Sequence, residues 1–224
     1  MFFGRSQEDD DTVVAMLASA LRRDISFGVL QPDQKLKIDV LRQRYGGSNH
    51  SMRETLRLLS AEGLVEATSQ RGFRVTSATE SDRRDILMIR LEVERLGLSR
   101  SLATAGVEWE TRIVAAFHAA DRADLKVQQE PDDLTALEWD EASRSMSAAI
   151  MSACGSPRLA DLAEKFFNQS RRFRLALLRE GRIDFTARKA RRDALQQAIL
   201  TRQNDRALSL LEEEITADIG GQEN

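Results

Sequence analysis

The chain has 224 residues, 42% of them hydrophobic and 31% charged, with a formal net charge of −3. That suits one large or two ordinary globular domains, and the absence of any apolar run of about 18 residues excludes a transmembrane helix. A single cysteine, Cys154, excludes a disulfide framework and a cysteine-based zinc site. The opening MFFGRSQEDDD has too short an apolar run for a signal peptide, so the expected compartment is the cytoplasm.

In chain order, apolar residues from Val13 to Ile25 recur at helical spacing and predict a first helix over 11–26, closed by Phe27-Gly28. Leu30 to Leu36, with Pro32, reads as a loop. A short amphipathic helix over 36–45 ends at Gly46-Gly47, where glycine supplies the turn. Ser48 is the expected N-cap of a second such helix over 49–61. On that helix Met52, Thr55, Leu56, Leu58 and Leu59 share one arc; Asn49, His50, Arg53 and Arg57 share the other. The second arc is a row of donors suited to a major groove, with Arg53 able to fork to phosphate or guanine, and Ser48 with the first-turn N–H groups suited to a phosphate. The alternative is the solvated face of an ordinary core helix. Two short strands, 64–68 and 73–76, follow around Ser69-Gln70-Arg71-Gly72. Helix, turn, helix, hairpin is the order of a winged helix-turn-helix.

Beyond a linker at 77–81, where Ser81 is a candidate cap, no strand pattern appears. Helices are expected over 81–103, 109–129, 134–153, 157–179, 186–202 and 205–219, broken at Gly106, Pro131, Gly155, Gly181 and Gln203-Asn204. Short connections imply an antiparallel bundle of six to seven helices. The expected fold is therefore mainly α: a winged helix-turn-helix over 1–77, then an all-α bundle over 78–224. Charge divides the same way. Residues 1–78 hold 11 Lys/Arg against 10 Asp/Glu, four of those acids lying in the tail at Glu8 to Asp11, while residues 79–224 hold 22 against 26. A locally basic front and an acidic rear fit a duplex-binding module that needs two copies for affinity.

The segment with Leu41, Tyr45, Gly46, Ser48, Arg53-Glu54-x-Leu56, Leu59, Glu62-Gly63-Leu64-Val65 and Arg71-Gly72 resembles the DNA-binding domain of the GntR family of bacterial transcription regulators. The resemblance implies operator contacts from Ser48, Asn49, His50, Arg53, Arg71 and Gly72. Asn49 stands where arginine is common and His50 where threonine is common; asparagine prefers adenine and arginine guanine. Upstream, Asp33 replaces the second glycine of the family's G-x-L-x-P-G approach. The rear half resembles the FCD effector domain of the FadR-type branch, carried by Arg90 and Glu94, the Trp109-Glu110 helix start, Ala153 to Leu159, Arg172-Phe173-Arg174, Ala194-Leu195-x-x-Ala198-Ile199 and Leu211-Glu212-Glu213.

Many such domains hold a metal through an aspartate or asparagine and three histidines. Those positions fall on Ser143, Ser147, Arg192 and Glu214, and the chain's only histidines are His50 and His118. No metal and no cofactor are expected. The same positions lie on apolar stripes, as does Arg90, and a charge there needs a partner. Either Arg192 and Glu214 pair with each other and bind nothing, or Arg90, Arg192 and Arg174 offer guanidinium forks to a carboxylate or phosphate effector, with Ser143, Ser147 and Glu214 around it. Arg171 to Arg174 is expected to be a partly solvated face, with Arg174 nearest the apolar stripe. No nucleophile–base pair or phosphate loop supports an enzyme built on the bundle. The expectation is a non-enzymatic regulator, a homodimeric repressor of a double-stranded DNA operator, tuned by a small organic acid and away from membranes; a bundle that serves only for dimerisation is the alternative.

Overall fold

The computed structural model describes residues 7–68 and 72–220 and divides into two units, Met1–Thr79 and Glu80–Asn224. In the first, α1 (Gln7–Ser26), α2 (Ile38–Tyr45) and α3 (Asn49–Ala61) pack with a three-stranded sheet of β1 (Lys35–Leu36), β2 (Val65–Thr68) and β3 (Gly72–Val75), in the order β1-β3-β2. Leu17, Leu21 and Ile25 of α1 meet Leu41 of α2 and Met52, Leu56 and Leu59 of α3 in one core, closed from the sheet by Leu36, Val65 and Val75. Each such side chain contributes about 1.5–3 kcal/mol on burial. Arg22 of α1 forks to Glu62 beyond the end of α3, at 3.0 and 2.7 Å.

The loop expected at 30–36 contains β1. Lys35 faces Arg74 and Leu36 faces Phe73 across an antiparallel pair, so β3 is the central strand. Asp33 precedes it with a φ of 63°, left-handed backbone at the position where the resemblance expects glycine. Leu58, expected on the buried arc of α3, is exposed.

The second unit holds α4 (Glu80–Thr104), α5 (Val107–Gln129), α6 (Asp133–Met151), α7 (Pro157–Arg179), α8 (Phe185–Leu200) and α9 (Asn204–Gly220). Helix α4 packs against α6, α7 and α9, while α5 lies between α6 and α8. Ser81 falls inside α4, not before it. Starts and stops elsewhere follow local chemistry. Asp132 and Thr135 form a capping box on α6, Ser156 caps α7 ahead of Pro157, and Asp184 caps α8. Trp139 sits inside α6, wholly buried. The apolar interior runs through Leu98, Ile113, Phe117, Ile150, Leu195, Ile199 and Ile215. A Cβ at Gly97 would come within 2.2 Å of Met151 Sδ, so the end of the Met151 side chain packs into the space that glycine leaves on α4.

Candidate functional site

The front unit's candidate surface begins at the turn between α2 and α3. Gly46 and Gly47 have φ of 81° and 82°, a region that side chains rarely adopt. Ser48 then caps α3 by a reciprocal bond: its Oγ accepts from Ser51 N at 3.0 Å, and Ser51 Oγ accepts from Ser48 N at 2.9 Å. The Ser48 hydroxyl is thus committed to the helix start. Asn49, His50 and Arg53 are exposed on the outer face of α3, as their spacing predicts. Arg53 makes no hydrogen bond or ion pair among the described residues, whereas Arg57 pairs with Glu54. At the wing, Gly72 opens β3 opposite Thr68, whose Oγ1 lies 3.0 Å from where a Cβ would stand. Arg71 lies outside the described residues.

Behind this face, Asp24 is buried and accepts from Tyr45 Oη at 2.6 Å and from Arg44 Nη2 at 3.0 Å. Burial, reinforced by the hydrogen bond to the Asp24 carboxylate, pushes the Tyr45 phenol up to about 12.

The rear unit's candidate site is a charged layer through the bundle centre. Four arginines (Arg90, Arg174, Arg188, Arg192) and five carboxylates (Glu94, Asp124, Asp140, Glu214, Asp218) are buried there. Arg192 donates from Nε to Glu214 at 3.0 Å, from Nη1 to Asp124 at 3.1 Å and from Nη2 to Ser143 Oγ at 3.2 Å. Arg188 donates to Asp218 at 3.1 Å and to Ser143 Oγ at 3.0 Å, and its buried Nε makes no hydrogen bond but lies 3.5 Å from Asp124 Oδ1. Arg90 joins Glu94 at 2.6 Å and Asp218 at 3.1 Å, and Ser147 donates to the other oxygen of Glu94 at 3.0 Å. Arg174 forks to Asp140 at 2.9 and 2.6 Å and stacks on Phe167 at 3.8 Å.

Burial and neighbouring charges act in opposite directions on Asp218 and Arg90. For Asp218, Arg174, Arg188 and Arg90 outweigh desolvation and hold the carboxyl well below its usual range. Glu94 and Asp218 likewise outweigh it for Arg90, whose pKa rises. Arg192 is lowered, by burial first and by the like charge of Arg188 second.

A cleft of about 300 Å³, partly open to solvent and with only a water-sized void at its centre, is lined by Arg90, Glu94, Ser143, Ser147, Arg188, Arg192, Glu214 and Asp218 among apolar side chains. Five of the six predicted effector positions therefore converge. Arg174 does not: it lies outside this lining, bonded to Asp140 and Ser170. Ser143 offers a ligand no proton, because its hydroxyl donates to Trp139 O at 3.0 Å while accepting from two guanidiniums. The Arg171–Arg174 stretch is the partly solvated face expected, with Arg171 to Phe173 part-buried and Arg174 fully buried on its inner side; Arg171 reaches buried Asp140 and Arg172 reaches Asp82. The sequence reading missed Arg188 and Asp218 as site residues, although each lies one helical turn from a residue it placed inward, Arg192 and Glu214.

A metal does not fit the positions that the resemblance assigns to one. Ser143 is saturated, Arg192 puts a permanent cation where a donor would stand, and both Glu214 oxygens are taken, by Arg192 and by Arg191 at 3.1 Å.

Comparison with known proteins matches residues 14–75 to "Bacterial regulatory proteins, gntR family" and residues 85–217 to the FCD domain. The HTH-type transcriptional repressor GlaR of Escherichia coli (strain K12) is 31% identical over 202 residues, covering 89% of this chain and 90% of its own. The chain belongs to the GntR family. It is a DNA-binding transcription regulator with an FCD domain, not an enzyme. The uncharacterized HTH-type transcriptional regulator BphR of Paraburkholderia xenovorans (strain LB400) is 32% identical over 201 residues, 89% of this chain and 80% of its own. In fold, the chain is similar to E. coli McbR/YncC, with a TM-score of 0.70 at 18% identity over 93% of this chain and 95% of that one. A putative GntR regulator from Rhodococcus sp. RHA1 gives 0.69 at 21%, over 94% and 99%. No described helix is long and apolar enough to cross a membrane.

Proposed function

We propose that this regulator is a repressor that binds a near-palindromic operator as a homodimer. Helix α3 enters the major groove, with half-sites about 34 Å apart. Asn49, His50 and Arg53 face the bases, the free N–H groups behind Ser48 face a phosphate, and Arg71-Gly72 forms the wing contact. The observation that carries this reading is Arg53, an exposed guanidinium without a partner among the described residues, on the outer face of a doubly capped helix. A free fork on a rigid helix is pre-organised for guanine or phosphate. The repressor assignment rests on GlaR, which bears that name and aligns over most of both chains. The test is selection of genomic fragments by the purified full-length protein. Specific fragments should be retained at low ionic strength, and Arg53→Ala should release them. Equal retention by both proteins refutes the role given to Arg53.

In the bundle, the proposed effector is a small organic acid bound in the central cleft on Arg90 and Arg192, beside Ser143, Ser147 and Glu214. To reach Arg192 the acid displaces Glu214, which keeps its second partner, Arg191. A second reading has its own support: each buried guanidinium already faces a carboxylate and the void is water-sized, as in a bundle that only pairs two copies. Melting curves with a panel of organic acids separate the two. An acid that raises the melting temperature of the wild type and not of Arg192→Ala supports the effector; no shift with any acid supports the dimerisation module.

A further inference from the structure

Asn49 stands exposed in the first turn of α3, and the neighbouring helix places a guanidinium beside it. Arg42 of α2 donates from Nε to Gly47 O at 3.3 Å and from Nη1 to Asn49 Oδ1 at 3.2 Å. The Gly47 carbonyl belongs to the glycine turn, so the conformation that joins the two helices also clamps this side chain. The bond to Asn49 orients its amide. The carboxamide oxygen must face Arg42, because the NH2 group there would set donor against donor. Arg42 Nη2 and Asn49 Nδ2 are then left as donors with no partner among the described residues, on a side chain 37% exposed and an exposed neighbour. Asp39 is the nearest acid at 3.8 Å, beyond hydrogen-bond distance and 88% exposed, so solvent screens it.

We propose that Arg42 and Asn49 form one composite reading head and that Arg42 is a specificity-determining residue for operator choice. This rests on α3 being the recognition helix and adds a residue outside it. Guanine offers two acceptors, O6 and N7, in the major groove, whereas adenine offers N7 beside an N6 donor. A head made of guanidinium and amide N–H groups matches the first and meets the second donor to donor. A free asparagine would choose the other way, since its bidentate pairing with adenine uses the carboxamide oxygen as acceptor. Arg42 therefore turns an adenine-preferring residue into part of a guanine-preferring pair.

The experiment is selection from a randomised duplex pool by the full-length wild type, Arg42→Ala, Arg42→Lys and Asn49→Ala, followed by binding titrations on the wild-type consensus. The wild type should enrich guanine at one position of each half-site. Arg42→Ala should lose that preference, drift towards adenine and bind the consensus roughly 5- to 150-fold more weakly, the worth of one good side-chain–base pair. Arg42→Lys keeps the charge without the fork, so it should lose the guanine preference while keeping the salt dependence. Arg42→Ala and Asn49→Ala should be non-additive when combined. The proposal is overturned if Arg42→Ala selects the wild-type sequence, or if it weakens all sequences equally with a shallower salt slope, the mark of a phosphate contact. Should Arg42→Ala behave as wild type while Arg53→Ala abolishes binding, the composite head is refuted and the recognition-helix reading stands.

Discussion

Tyr45 is the chain's single tyrosine, so its ionisation can be followed without ambiguity. Burial, then the hydrogen bond to Asp24, pushes its pKa up to about 12. A group whose folded pKa is raised stabilises the fold fully below its unfolded value and loses that contribution as pH climbs through the folded one. Phenolate absorbance should therefore rise near pH 12 in the folded protein and near pH 10 in denaturant, with front-unit stability falling across that window. Asp24→Asn should bring the folded midpoint down; an unmoved midpoint would deny the carboxylate any part. Gly46 and Gly47 offer a second comparison. Alanine at Gly46 meets open space, so only its φ of 81° costs, about 1–3 kcal/mol. At Gly47 the new Cβ also stands 2.9 Å from Leu17 Cδ1 and 3.1 Å from Ser51 Oγ, inside the core and the capping box. Chemical denaturation should rank Gly47→Ala as the more damaging, and the reverse order would mean the close approach costs nothing.

At the scale of helices and strands, most of the fold was legible in the sequence. Helix α3 begins and ends where Ser48 and the apolar periodicity place it, and α7 begins at its Ser156-Pro157 cap. Strand β1 was not legible, because two residues beside Pro32 show no alternation and owe their pairing to β3, nearly 40 positions downstream. Leu58 misled because an apolar side chain at the edge of an arc is not forced inward by spacing alone. The site divides along the same line. Spacing put Arg90, Arg192 and Glu214 on inward stripes, but their partners come from other helices, and no single-helix period can name Asp124 or Asp140. The α6–α7 contact exposes the consequence. Asp140 of α6 is the carboxylate facing both Arg174 and half-buried Arg171 of α7, so Asp140→Ala should leave the fully buried Arg174 guanidinium with Asp218, at 3.7 Å, as its remaining opposite charge and cost about 3–5 kcal/mol by chemical denaturation. A loss below about 1 kcal/mol would mean that the pair is solvated.

For the molecule as a whole, the charge layer places the Arg192 guanidinium among the positions to which the resemblance assigns a metal. Treatment with EDTA, or addition of Zn²⁺, should then leave both the melting temperature and operator affinity where they were, and a shift in either would show donors that Ser143, Arg192 and Glu214 do not offer. The same layer draws on every helix of the rear unit: Arg90 from α4, Asp124 from α5, Asp140 and Ser143 from α6, Arg174 from α7, Arg192 from α8 and Asp218 from α9. Heredity at these positions is therefore collective. A chimera that imports α8 alone from a distant cousin, bringing other residues to 188 and 192, strips Asp124 of α5 of its guanidinium partners and takes one or more from Glu214 and Asp218 of α9 at one stroke. A crossover between Thr79 and Glu80 severs no member from another. A new front unit parts no member of this layer from another, while the rear unit itself changes only by several residues shifting in concert.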